Sequence, residues 1–430
     1  MVNSLVNNVL SLILVAVAAS ADPTPSRLAG ESADGPMASS RDLASPGGPD
    51  SAFPQLASDG KDGVYMTWLE TLPSGAGHRL RLAHRKQAGE WEAPVTVHEG
   101  RVFWRNWADF PGLGVFADGS VMVHWLARSG EATYDYNIIA RITRDAGRTW
   151  AEPFTVNTDG IKAEHGFVSF APTLKGMALA WLDGRDTKGS HAGEHSAMGA
   201  GAMTLRFAEF LSDGTRTRES LLDSKVCDCC QTAVVHTPKG LLVAYRDRSN
   251  DEFRDISLVR PDAAMIEPRE FSQDGWKINA CPVNGPALAS RGDAVAAAWF
   301  TMAGGKARVR AALSKDGGDT FSKATDIDAY APIGRVDVDF LASGEALVSL
   351  LGRGEKSVEI KAAVLGVDGR MSGAPMTIAP ASGSRASGFP RFERSGDEVV
   401  FAWTEVLPTP SADGDGPPPS RLRTSVIKLR

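Results

Sequence analysis

One phrase recurs seven times along this chain, and it constrains the fold more than any other feature. An extended segment leads into a turn with Gly or Asp, and then into an alternating strand that ends in a large apolar residue. The copies are FPQLASDGKDGVYMTWLE (53–70), DFPGLGVFADGSVMVHWLAR (109–128), SFAPTLKGMALAWLDGR (169–185), CQTAVVHTPKGLLVAYRDR (230–248), NGPALASRGDAVAAAWFT (284–301), RVDVDFLASGEALVSLLGR (335–353) and GFPRFERSGDEVVFAWTE (388–405). The closing residues Trp68, Trp125, Trp181, Tyr245, Trp299, Leu351 and Trp403 are 57, 56, 64, 54, 52 and 52 residues apart. Period-two segments between the copies, such as RLRLAHR (79–85), YNIIARITR (136–144) and VEIKAAVLG (358–366), read as third strands. A tight turn and a short fourth strand complete each period. Four antiparallel strands per period of about 55 residues describe a β-propeller blade.

The 430 residues alone suggest roughly three domains. The unbroken period replaces these with one all-β propeller. It has seven blades by repeat count, or six if one irregular copy falls outside the ring. The last copy has a third strand, RLRTSVIKL (421–429), after which the chain ends. Its fourth strand must come from the N-terminal segment for the ring to close without an edge. That segment is a poor strand former.

At 43% hydrophobic and 23% charged, the composition is globular, and a net charge of −6 argues against a nucleic-acid partner. The apolar run from Val9 to Ala19 precedes Ala19-Ser20-Ala21, which reads as a signal peptide over 1–21. Residues 22–51, rich in Pro, Ser and Gly, read as a flexible leader, with the propeller over 52–430. No other stretch is long and apolar enough to span a membrane. The protein is therefore expected to be exported, to the periplasm or the medium.

Residues 143–150 read Thr-Arg-Asp-Ala-Gly-Arg-Thr-Trp, and 314–321 read Ser-Lys-Asp-Gly-Gly-Asp-Thr-Phe. Both occupy the turn after a third strand, where an Asp can accept backbone N–H groups and a Gly permits positive φ. On these residues the chain resembles the sialidase-like (BNR or Asp-box repeat) propellers. NWADFP (106–111), VCDCCQT (226–232) and CPVNGP (281–286) resemble an exported, exo-α-sialidase-like subgroup with a CDCC motif. The resemblance implies a glycoside hydrolase acting on an anionic glycan and requiring no cofactor. The family's Arg-Ile-Pro element is absent, its place being taken by Phe53-Pro54-Gln55.

In a blade, the first strand begins and the second ends on the same face of the ring, here called the lead-in face. Unusual polar residues gather there. Asn106, Trp107, Arg185, Arg246, Arg335 and Arg391 are candidates for holding an anionic group, because guanidinium grips carboxylate in a bidentate fork. Asp109, Asp247 and Glu405 are candidate acids or bases, and Tyr330 is the candidate nucleophile. All four cysteines, Cys227, Cys229, Cys230 and Cys281, fall in two consecutive lead-in loops, with His165, His191 and His195 in the blade before. An exported protein favours disulfides. Thiolate with imidazole also suits copper(I) or zinc. A second functional class follows, a non-hydrolytic propeller that binds a soft metal or ligand through these loops. The partner in either case is a glycan or another small anionic ligand.

Overall fold

A computed structural model describes residues 40–187, 201–328, 330–408 and 418–429. Seven four-stranded antiparallel sheets are arranged as seven blades. The first strands are Ser51–Ser58, Gly112–Val115, His165–Pro172, Ala233–Thr237, Ala287–Arg291, Pro332–Phe340 and Arg391–Ser395. Each touches its neighbour in the ring, and the last touches the first, so together they surround the axis. The count of seven read from the repeats holds. Among the described residues, no helix is long and apolar enough to cross a membrane. The signal segment 1–21 and His191 and His195 lie outside the described residues.

Second strands are buried on both faces because each blade is packed between two others. Trp68, Trp125, Trp181, Tyr245, Trp299, Leu351 and Trp403 are all buried there. A buried indole N–H needs an acceptor. Trp68 donates to Glu70 at 3.0 Å and Trp181 to Asp183 at 3.0 Å, so the Trp-x-acid spacing has a structural use.

The two Asp boxes form the expected turns. The Thr149 N–H and hydroxyl donate to Asp145 at 2.8 and 2.7 Å, and those of Thr320 donate to Asp316 at 2.9 and 2.6 Å. Gly147 and Gly318 have φ of 89° and 90°. A Cβ on Gly147 would also lie 2.5 Å from Val95 Cγ2, so the position is closed to larger residues twice over.

Ring closure uses part of the segment read as leader. Arg41–Leu43 forms the outermost strand of blade seven, pairing antiparallel with Thr424–Val426. Leu43 is buried with Val64, Val400 and Val426. The Thr424 hydroxyl donates to the Leu43 carbonyl at 2.9 Å. The buried Arg85–Glu398 pair at 2.6 Å joins blades one and seven. A strand of three residues suffices because it needs only to cover an edge.

Candidate active site on the lead-in face

Three first strands bulge where they begin, at Ala52/Gln55, Gly166/Ser169 and Gly334/Asp337. Each bulge contains a bulky residue in the left-handed region: Phe53 (φ 61°), Phe167 (56°) and Arg335 (53°). Such strain persists only where surrounding contacts enforce it, and bulges re-aim side chains. All three lie on the lead-in face.

The bulge at Phe167 serves Asp109. The Phe167 N–H donates to Asp109 Oδ1 at 2.7 Å, and the absence of a Cβ on Gly166 admits the carboxylate, which would otherwise stand 1.8 Å away. Asp109 is 1% exposed. Its Oδ2 lies 3.0 Å from Tyr136 Oη, which in turn lies 2.8 Å from Glu164 Oε1. Tyr136 is fully buried under Trp104, with ring centroids 5.3 Å apart, whereas Glu164 is part-exposed. Burial pushes the Asp109 carboxyl up to about 7, against the hydrogen bonds from Phe167 and Tyr136. It pushes Glu164 up to about 8, with the Asp109 and Asp228 charges adding to the rise. One hydroxyl carries one proton, so it cannot donate to both carboxylates. The arrangement is satisfied when one carboxyl holds a proton of its own. Burial favours the protonated form of both carboxyls, and Glu164 is the part-exposed member of the pair.

The lead-in end of the axis is closed by side chains. The Gln231 amide donates to the Ala108 carbonyl at 2.7 Å and accepts the Gly285 N–H at 3.1 Å, tying blades two, four and five. Trp107 stacks on Phe389 with centroids 6.2 Å apart, and Arg335 lies 5.0 Å above the Trp107 ring. Asn106 accepts the Ala108 N–H at 2.9 Å, which shapes the same loop.

Of the four arginines expected to hold an anion, three are engaged elsewhere, while Arg391 has only a loose ion pair and a buried Nε without a hydrogen-bond partner. Arg335 donates to Ser387 Oγ (2.8 Å) and to the carbonyls of Gly388 (2.6 Å) and Ser384 (3.1 Å), and burial lowers its pKa to about 10. Arg246 is buried and spends its donors on the carbonyls of Asn284, Arg254 and Phe300. Arg185 clasps Asp183 at 2.7 and 2.8 Å, with Asp159 at 3.3 Å. Arg391 faces Asp337 at 3.6 Å and lines an axial cavity of about 490 Å³ together with Asp339 and Glu393. Two further arginines, Arg105 and the lead-in-loop Arg385, stand over aromatic rings. Arg105 lies 4.9 Å over Phe53, and the exposed Arg385 lies 5.9 Å over Trp107. Neither forms a salt bridge among the described residues.

The other candidate acids and the candidate nucleophile stand apart. Asp247 accepts the Ser257 hydroxyl at 2.9 Å within blade four. Glu405 is ion-paired with Arg421 (2.5 Å) and Arg423 (3.2 Å) on the neighbouring strand, and Arg421 chiefly lowers its pKa. Tyr330 is 75% exposed in the loop before blade six. All three sit near strand ends, but their side chains turn to partners within their own blade or to solvent.

The four cysteines are free thiols. The sulfurs of Cys227, Cys229 and Cys230 lie within 4.8 Å of one another, and the Cys281 thiol contacts Cys229. His165 is not with them. Its Nε2 lies 3.1 Å from Asp159 and 3.7 Å from Asp183, while Nδ1 lies 3.0 Å from the Tyr136 and Ala163 carbonyls.

Tyr136 and Glu164 were missed by motif reading. Their signal was positional: Tyr136 opens the third strand of blade two opposite Arg128, and Glu164 immediately precedes the first strand of blade three. Both positions fall on the lead-in face.

No protein-family model and no curated protein matches the chain. Solved structures do. The α-L-arabinanase of Penicillium chrysogenum, in complex with arabinobiose, is similar at TM-score 0.51 and 12% identity, over 91% of this chain and 99% of that one. The GH93 α-L-arabinofuranosidase of Fusarium graminearum, with arabinobiose, is similar at TM-score 0.50 and 14% identity, over 92% and 98%. Fold and comparison together define a seven-bladed β-propeller. At these identities the likeness is one of fold, and chemistry has to be argued from this chain's own residues.

Proposed function

We propose that the chain is an exported propeller glycoside hydrolase acting on an anionic glycan at the lead-in face. Glu164, the part-exposed member of the carboxyl pair, gives its proton to the leaving oxygen as the glycosidic C–O bond breaks; solvent water adds to the anomeric carbon and returns a proton to the Glu164 carboxylate. Tyr136 and Asp109 position this carboxyl. Arg385 and Arg105, seated on Trp107 and Phe53, receive the anionic group. Trp107 is two residues from Asp109, so this platform adjoins the carboxyl pair. The observation that carries the reading is the single Tyr136 hydroxyl shared by two carboxyls, which burial raises toward neutral pH and so toward the protonated state a general acid requires.

The exo-α-sialidase form of this reading has less support than the general one. Arg185, Arg246 and Arg335 have their donors committed, and Phe53-Pro54-Gln55 replaces Arg-Ile-Pro. Purified protein assayed on a panel of sialosides, uronic-acid glycans and arabinan is expected to cleave an anionic member. Turnover of none of them contradicts the proposal. A mature N-terminus at Asp22 in protein recovered from outside the cytoplasm supports export, and retention of residues 1–21 contradicts it.

A further inference from the structure

The glycosidase reading leaves the cysteines unused, and their geometry carries a separate claim. Cys227 and Cys230 are buried, on either side of a turn at Asp228-Cys229, with their sulfurs 3.5 Å apart. Cys-Asp-Cys-Cys therefore contains a Cys-x-x-Cys knuckle, with Cys229 as a third sulfur between its ends. Cys281, from the lead-in loop of blade five, adds the fourth against Cys229. A disulfide would bring two sulfurs to about 2.05 Å. Four thiolates at about 2.3 Å from one tetrahedral cation stand about 3.8 Å from each other. Cys227, Cys229 and Cys230 fit the second arrangement, with Cys227 and Cys230 3.5 Å apart and all three sulfurs within 4.8 Å of one another; Cys281 stands outside this triad, against Cys229, and has to move inward to complete the set.

The surroundings suit an anionic cluster. Arg254, nearly fully buried, donates from Nη1 to Cys227 Sγ at 3.2 Å, and is itself paired with Glu252 at 2.7 Å. The Cys227 N–H donates to the Arg246 carbonyl at 3.1 Å, which fixes the start of the loop. Hydrogen bonds to ligating sulfur from a positively charged neighbour are what a thiolate site needs around it. Cys229 and Cys281 are part-exposed, so the cluster has an open side on the lead-in face. Among the described residues no imidazole joins the set, and His165 is held by Asp159 and Asp183.

We propose that Cys227, Cys229, Cys230 and Cys281 form a tetrathiolate site for one thiophilic d¹⁰ cation, zinc(II) or copper(I), joining the lead-in loops of blades four and five. Gln231, which follows Cys230 directly, closes the axis. The cation therefore anchors the loop that carries this closure.

The test uses the full chain, purified anaerobically with reductant and stripped with a chelator. Titration with cobalt(II) alone is expected to give one equivalent per chain, with thiolate-to-cobalt charge transfer and the intense visible bands of a tetrahedral sulfur site. Cys281→Ser, at a part-exposed loop position, is expected to weaken cobalt binding at least ten-fold while leaving thermal unfolding of the stripped chain unchanged. Displacement of cobalt by zinc(II) or by copper(I) identifies the cation, and either result sustains the site. Absence of charge transfer, equal binding by Cys281→Ser, or zero free thiols in protein blocked and denatured at harvest overturns it. None of these readouts depends on glycan cleavage.

Discussion

Tyr136 Oη stands 2.8 Å from Glu164 Oε1, and Asp109 crowds the same hydroxyl from the other side. Burial of this carboxyl pair, which outweighs the hydrogen bonds from Tyr136, makes stability depend on pH in a defined direction. Both carboxyls have folded pKa values raised, to about 7 and about 8, above ordinary unfolded values near 4. Between those limits the folded chain binds more protons than the unfolded one, so stability falls as pH rises from about 4 to about 8. Asp109→Asn keeps an acceptor for the Phe167 N–H and presents an N–H to Tyr136, as the protonated acid would. Thermal unfolding from pH 5 to 8.5 is expected to show a shallower decline in Asp109→Asn than in the parent chain. Parallel curves would show that Asp109 ionises freely.

Arg335 and Arg385 both approach Trp107, yet they are expected to differ on substitution. Arg335→Ala leaves the carbonyls of Ser384 and Gly388 without their buried donor, and is expected to cost about 2–4 kcal/mol in denaturant unfolding. Arg385→Ala removes an exposed side chain. It is expected to leave unfolding unchanged and to raise KM for an anionic glycan while sparing a neutral one. Equal unfolding midpoints for both variants would remove the distinction between closure and binding.

Ring closure rests on a short strand. Leu43→Ala opens a small cavity among Val64, Val400 and Val426, and is expected to cost about 2–3 kcal/mol. A chain starting at residue 46 is expected to unfold at lower temperature than one starting at residue 40. Identical melting of the two would place the closure elsewhere.

The fold was legible because a blade repeats its burial pattern. Trp68, Trp125 and Trp181 mark the same position in successive sheets, and Gly147 and Gly318 mark the same turn. The fourth strand of blade seven was not legible, because Arg41–Leu43 contributes three residues and one apolar side chain. The site was partly legible. Asp109 and the cysteines stood out as unusual residues at strand starts, and the structure places both on the lead-in face. Arg246 and Arg335 stood out for the same reason, but their partners are backbone carbonyls, which leave no trace in a sequence. Tyr136 and Glu164 are 28 residues apart and meet only because blades two and three are neighbours. Proximity along the chain groups His165 with the cysteines, but it stands apart from them, with Asp159 and Asp183, in a second group whose donors could hold a cation. The acids that hold it, Asp159 and Asp183, lie on either side of it in sequence.

The central claim is that Glu164, poised by Tyr136 and Asp109, acts as the general acid. The most direct measurement is kcat on the cleaved glycan for Glu164→Gln beside the parent chain, with thermal unfolding recorded for each. The expected result is a fall of about 10²–10⁴-fold in kcat with the unfolding temperature unchanged. A Glu164→Gln chain that folds normally and turns over at the parental rate would contradict the account.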